Sequence, residues 1–154
     1  MAKEYRTIRN DVALPYQWAL GKTWPRFFDG LKEEKIRGTK CADCGRVYVP
    51  ARTFCPTCFT DMRQWVEVKP EGKIVTWTLV REKYYGQVKE PPYVVALIKL
   101  DGADCGFSHF IGGFDLSDAK QVRQKLRTGA RVKAVWSPEK KADIHDIVCF
   151  APVK

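Results

Sequence analysis

Six cysteines could carry chemistry, at Cys41, Cys44, Cys55, Cys58, Cys105 and Cys149. The first four read Cys41-x2-Cys44-x10-Cys55-x2-Cys58. A two-residue spacer lets one tight turn bring both sulfurs to a single ion at about 2.3 Å, and two such turns facing each other close a tetrahedral site. Gly45, directly after the first pair, is the small residue that such a turn wants. Phe59 stands at the matching place after the second pair, so that turn is expected to be wider. All four thiolates are consumed by the ion, which leaves no open position for water or substrate. The site is therefore structural. Zinc is the expected metal in a reducing compartment, and iron, which four thiolates also suit, is the alternative. Two disulfides do not fit that compartment.

The remaining chemistry is sparse. Cys105 and Cys149 fall on expected strands, where a free cysteine is usually a small buried hydrophobe. His109 lies four residues past Cys105, on the same strand face, so a Cys–His pair is conceivable. His145 is the only other histidine. Ser108, Ser117 and Ser137 sit in no nucleophile-elbow motif. There is no glycine-rich phosphate loop and no dinucleotide fingerprint.

The elements that must position the metal site are short. Residues 1–13 are polar. Pro15–Leu20 reads as a short helix ended by Gly21. Thr23 is then placed to cap a second helix, with Pro25 tolerated in its first turn. Trp24, Phe27, Phe28 and Leu31 recur on one face of that helix. This aromatic face either packs on the rest of the chain or docks on another protein, since Trp and Phe are favoured interface anchors. Trp18, Trp24, Phe27 and Phe28 are accordingly candidate partner-interface residues. The metal module covers 36–65, with Tyr48, Val49, Phe54, Phe59, Met62 and Trp65 as a thin apolar cover.

Beyond Trp65 the pattern changes to strands. Gly72–Val80, Tyr93–Leu100, Cys105–Ile111, Arg131–Trp136 and Ile144–Phe150 are rich in β-branched and aromatic residues. Asp101-Gly102 supports a tight turn between the second and third. Ser117-Asp118 can cap a helix through about Leu126, which Gly129 is placed to end. Five strands with a helix between the third and fourth fit a small Greek-key barrel of the OB type. The predicted architecture is mainly β with N-terminal helices: a four-cysteine zinc ribbon followed by a five-stranded OB-fold barrel. Its three parts are a helical segment at 1–35, the ribbon at 36–65 and the barrel at 66–154.

The chain has 154 residues, enough for one domain or two small ones with a real core. Its composition, 45% hydrophobic and 29% charged, excludes wholesale disorder. The apolar stretch Pro91–Ile98 is far short of the roughly 18–20 residues of a membrane helix. The charged start, with no apolar run behind it, is not a signal peptide, and a cytoplasmic address is expected. The net charge of +9 suggests a polyanionic partner such as nucleic acid, a membrane surface or a phosphorylated small molecule. Lys120, Arg123, Lys125, Arg127, Arg131 and Lys133 follow one another with no acidic residue among them.

The order of parts resembles the zinc-ribbon/OB-fold family of acyl-CoA-associated proteins, once catalogued as a domain of unknown function. The resemblance rests on Phe27–Leu31, Cys41–Pro50 with its Cys-Ala-Asp-Cys-Gly-Arg core, Phe54–Cys58, Gly72–Thr78 and Pro92–Leu97. These segments span most of 24–136. Phe59 departs from the small residue usual after the second cysteine pair, and the loop 115–129 is longer and more basic than the pattern. The ribbon expected here is rubredoxin-like. The resemblance implies a non-catalytic subunit that binds a thiolase-like catalytic subunit in a hetero-oligomer. Such a subunit helps to complete the partner's active site and shares its coenzyme A thioester. It extends to the small subunits of benzylsuccinyl-CoA-type thiolases, in aromatic compound degradation.

Coenzyme A carries a pyrophosphate and a 3′-phosphate, which basic side chains bind strongly. Two sets of residues are candidates. One is the first barrel loop, Arg81, Lys83, Tyr84, Tyr85 and Gly86, suited to reaching into a partner's cleft. The other is the basic run, with Lys120, Arg123, Arg127 and Arg131 as phosphate contacts. Solvated surface is the plain alternative for each. A second function is single-stranded nucleic-acid binding, since OB barrels use a basic groove with stacked aromatics. A third is an iron-containing electron carrier.

Overall fold

A computed structural model describes residues 15–84, 86–87 and 89–153. The reading of residues 1–13 and of Tyr85 lies outside them. Helix α1 (Thr23–Lys32) leads into a three-stranded antiparallel sheet of β1 (Ile36–Lys40), β2 (Val47–Tyr48) and β3 (Gln64–Val68), ordered β2-β1-β3. The barrel follows, with β4 (Glu71–Val80), β5 (Tyr93–Leu100), β6 (Gly106–Ile111), α2 (Ala119–Lys125), β7 (Arg131–Trp136) and β8 (Ile147–Pro152). A single 3-10 turn at Ile144–Asp146 precedes β8. The barrel closes in the order β4-β5-β6-β8-β7, and β7 pairs back onto the start of β4. The five expected strands and the inserted helix are all present. The expected ribbon–barrel boundary between 65 and 66 falls within β3.

β4 serves two neighbours because it bends. Its first residues lie between β7 (Gly72↔Val132) and β5 (Gly72↔Leu100), and its remainder pairs with β5 alone (Trp77↔Ala96), with a register shift between Ile74 and Thr76. Gly72 permits the crossing: a Cβ there would collide with the backbone carbonyl of Lys99. Inward residues Ile74, Val94, Ala96, Ile98, Phe107, Ile111, Val132 and Phe150 fill the barrel. At its lower end Arg131 makes a bidentate pair with Asp101, at 2.8 and 2.7 Å. That hydrogen bond holds the Asp101 carboxyl below its ordinary range. Its stabilising effect is therefore present above the usual carboxylate pKa and is lost as pH falls through the depressed one.

The N-terminal reading needs correction. Pro15–Leu20 is not helical. Six residues without a capping side chain give fewer than two turns, too few to repay helix nucleation. Nor does Thr23 cap α1. Lys22 is the N-cap, without a side-chain bond, and Thr23 is the first helical residue. Its Oγ1 instead lies 2.9 Å from Thr53 Oγ1, tying the helix to the ribbon. The aromatic face turns inward. Phe27 and Leu31 are fully buried, and Trp24 and Phe28 are half-buried against the same core as the barrel residues.

Candidate metal centre and the surfaces around it

The two cysteine turns are built alike. In the first, Gly45 N–H donates to Cys41 O and Cys41 N–H to Arg46 O, at 3.1 and 2.9 Å. In the second, Phe59 N–H donates to Cys55 O and Cys55 N–H to Thr60 O, at 2.9 and 2.8 Å. The fifth residue of each turn has positive φ, +73° at Gly45 and +59° at Phe59. The second turn is therefore not wider than the first. Phe59 adopts the glycine conformation, at a cost of order 1–3 kcal/mol.

These turns bring the Sγ atoms of Cys41, Cys44, Cys55 and Cys58 within 4.8 Å of one another. Cys44 and Cys55 sulfurs lie 3.8 Å apart. A tetrahedron of sulfurs about 2.3 Å from zinc has edges of about 3.8 Å, so the four residues fit that ion. The Cys44 backbone N–H lowers the Cys41 thiol pKa against the effect of burial. Burial pushes Cys55 up, but the N–H groups of Cys58 and Thr57 and the neighbouring thiols outweigh it, to about 6. Cys58 is pushed up to about 12 by its bond to Cys44 and by burial. Thiolates so crowded call for a divalent cation among them. Tyr48, Met62 and Cys105 cover the cluster.

The ribbon is locked to the barrel by contacts that sequence reasoning did not foresee. Val47 N–H donates to Asp104 Oδ2 and Asp104 N–H to Val47 O, at 2.8 and 2.9 Å. The Cys105 thiol donates to Val49 O, and Val49 N–H points back at the same sulfur, both at 3.2 Å. Cys105 thus serves as a clasp. Its pairing with His109 does not form. The His109 ring is buried among Phe107, Phe110 and Phe150, with Nε2 3.4 Å from Ile144 O. Burial lowers the His109 pKa, and its Nδ1 has no hydrogen-bond partner among the described residues. Cys149 is buried, and desolvation raises its thiol pKa.

The basic candidates divide. Arg81 and Arg123 come from the two different sets, yet the fold brings them together. With Trp77, Thr78, Leu79 and Ala119 they line one groove of about 280 Å³. Lys83 is paired with Glu90 at 2.6 Å. Tyr84 is exposed, and its N–H donates to Gln87 Oε1 at 3.0 Å. Gly86 turns the loop at φ +77°. Lys120 and Arg127 are exposed. Arg131 is engaged by Asp101 and Glu71 at the barrel's end, so its guanidinium is not presented as the others are.

The aromatic candidates divide as well. Phe27 is core, whereas Trp18 is 65% exposed and stacks edge-on against Trp24 at 6.2 Å. Trp24, Pro50, Ala51, Arg52, Thr53 and Phe54 border a hollow of about 450 Å³. Tyr16, Phe54 and Phe59 are also exposed, Phe59 at 80%. Sequence reasoning placed Phe54 and Phe59 in the ribbon's cover. Phe59's position after the second cysteine pair was the available signal that it stands elsewhere.

Two family models match the chain: the ChsH2 rubredoxin-like zinc ribbon domain over residues 28–63 and the ChsH2 C-terminal OB-fold domain over 65–137. The chain belongs to the ChsH2 family of zinc-ribbon/OB-fold proteins. Among curated relatives it is similar to a DUF35 domain-containing scaffold protein of Methanocaldococcus jannaschii, 35% identical over 66 residues. That match covers 42% of this chain and 46% of the relative. A scaffold protein of the same description from Pyrococcus furiosus is 31% identical over 77 residues, covering 49% and 56%. The chain spans about half the length of the curated relatives it matches. A solved DUF35-family protein of unknown function from Sulfolobus solfataricus superposes with TM-score 0.61 at 27% identity, covering 86% of this chain and 84% of that one. A chain of a structure described as an Ltp2-ChsH2(DUF35) aldolase superposes at 0.63 and 22% identity, covering 88% and 98%, which speaks to the fold alone. Among the described residues no helix is long and apolar enough to cross a membrane.

Proposed function

We propose that this chain is a non-catalytic accessory subunit that docks on a thiolase-like enzyme and helps to complete its acyl-CoA site. The observation that carries this reading is Phe59. An aromatic side chain held at left-handed φ and left in solvent costs free energy in the isolated chain, and such strain persists where something else uses it. With Tyr16, Trp18 and Phe54 it offers the anchors that interfaces favour. The scaffold role named for the archaeal relatives supports the same reading. Replacement of Phe59 by Gly is then expected to move two quantities in opposite directions. The zinc-loaded chain gains about 1 kcal/mol, or roughly 2–4 °C in Tm. Affinity for the enzyme partner falls. An unchanged or lower Tm in a calorimetric scan would contradict the assignment of strain.

Coenzyme A enters the reading through the Arg81–Arg123 groove, with Tyr84 and Gly86 on the adjoining loop and Lys120 and Arg127 nearby in sequence. Two guanidiniums flanking a tryptophan suit a pyrophosphate and an adenine ring. Reversing both charges, Arg81→Glu with Arg123→Glu, is expected to raise the assembled enzyme's KM for its acyl-CoA tenfold or more. Each charge-assisted contact is worth about 1.5–3 kcal/mol. The kcat should stay within about twofold, since in this reading both groups hold the coenzyme's phosphates and not the reacting carbonyl. An acyl group of the benzylsuccinyl type and a cytoplasmic setting complete the proposal.

The direct test is reconstitution. Thioester cleavage should require both chains, with the separately purified ribbon–barrel chain inactive. Full turnover by this chain alone would sink the proposal. The groove also permits the second reading, a single nucleic-acid strand stacked on Trp77. That reading demands oligonucleotide binding that weakens steeply with salt.

A further inference from the structure

The barrel has an incomplete seam. β6 and β8 run parallel and pair at one register position, Ile111↔Phe150. Toward their N-terminal ends the ladder is missing, and a cleft of about 390 Å³ opens between Ser108–Phe110 of β6 and Ile147–Val148 of β8. That volume lies within the roughly 300–1,000 Å³ of small-molecule sites. Its walls are apolar, formed by Val95, Phe110, Ile144 and Ile147. His109 lines it as a buried ring that desolvation disfavours as a cation. The charges are confined to exposed side chains. Lys89 lies with Nζ 5.0 Å above the Phe110 ring and forms no ion pair among the described residues. His145 is the second basic group, beside Asp143, whose Oδ1 accepts from the His145 backbone N–H at 2.6 Å and lies 3.3 Å from its ring. Among the described residues no carboxylate lines the cleft.

An apolar chamber edged by an ammonium that no described carboxylate pairs is complementary to an organic anion with a hydrocarbon body. We propose that this cleft binds a small amphipathic carboxylate, its alkyl or aryl body between Phe110 and Ile147 and its carboxylate at Lys89. The site uses none of the metal ligands, the Arg81–Arg123 groove or the exposed aromatics, and it stands or falls independently of the accessory-subunit reading.

The experiment is a nuclear magnetic resonance titration of the full zinc-loaded chain with 3-phenylpropanoate, using the uncharged 3-phenylpropan-1-ol as comparison. Saturable shifts are expected at the amides of Ser108–Phe110 and Ile144–Val148. The alcohol should bind about fivefold more weakly, and so should the acid to Lys89→Met, the scale of one partly exposed ion pair. Val148→Glu, at an exposed position that leaves the core intact, should weaken the acid further by placing a like charge in the cleft. No saturable shift at these amides up to about 10 mM acid would overturn the proposal, because a site that weak is not specific. So would equal affinity for acid and alcohol, which would leave only a generic apolar recess. Shifts at these amides with the enzyme partner but none with the acid would make the cleft a protein contact, and would overturn it too.

Discussion

Replacing Cys55 by Ser is expected to abolish stoichiometric metal binding and to unfold the ribbon. Cys55 is fully buried and its sulfur lies 3.8 Å from that of Cys44. The ribbon sheet is too small to stand without the ion: β2 has two residues, and β1 and β3 have five each. Folds of fewer than about 40 residues usually need such a staple, and structural zinc contributes about 10–16 kcal/mol of binding free energy in small finger peptides. The damage will not stop at the ribbon. Val47 and Val49 hold Asp104 and Cys105 at the start of β6, so the barrel loses its clasp as well. We expect the main thermal transition to fall by roughly 10 °C or more. A strong chelator should reproduce this in the unsubstituted chain. Metal analysis and calorimetry check it together. One tightly held metal per C55S chain, with an unchanged transition, would refute the assignment.

Truncating Phe27 to Ala is expected to cost about 3–5 kcal/mol, the range for a buried aromatic. The ring is fully buried and packs edge-on against Trp24 and tilted against Phe28, at 6.0 and 5.6 Å. The core around it is shared by α1, ribbon and barrel, so there is no separate unit that can collapse to fill the cavity. Trp18→Ala is the control. At 65% exposure its loss should stay within about 0.5 kcal/mol in the isolated chain. Urea titration of both variants decides whether the helix face is core or a free docking surface. Similar small losses from both would place Phe27 outside the core.

These two variants show what the sequence made legible. Cysteine spacing revealed the metal module because four ligands must meet at one ion, a local constraint written in two short motifs. β-branched runs revealed the barrel strands, and Asp118 revealed the start of α2, where its carboxylate accepts from Lys120 and Gln121 N–H. The aromatic period revealed α1 but not its neighbours, because periodicity tells which face is apolar and not what covers it. The clasp between Val47–Val49 and Asp104–Cys105 joins segments 56–57 residues apart and leaves no local signature. The same holds for Arg131. In sequence it continues a basic run, and only the fold sets it against Asp101, 30 residues away. The groove shared by Arg81 and Arg123 depends on α2 folding beside the end of β4. The cleft beside His109 exists because a ladder is missing, and a missing ladder has no residue code. At Phe59 the expectation of a wider turn failed because hydrogen bonds across both cysteine turns enforce one conformation, whatever residue occupies it.

Co-purification tests the central claim most directly. The chain would be tagged in its native host, recovered from extract at moderate salt, and its companions identified by mass spectrometry. The account predicts one thiolase-like protein in fixed stoichiometry, lost when Phe59 and Trp18 are both replaced by Ala. Recovery of nucleic acid with no enzyme partner would contradict it and assign the barrel's groove to strand binding.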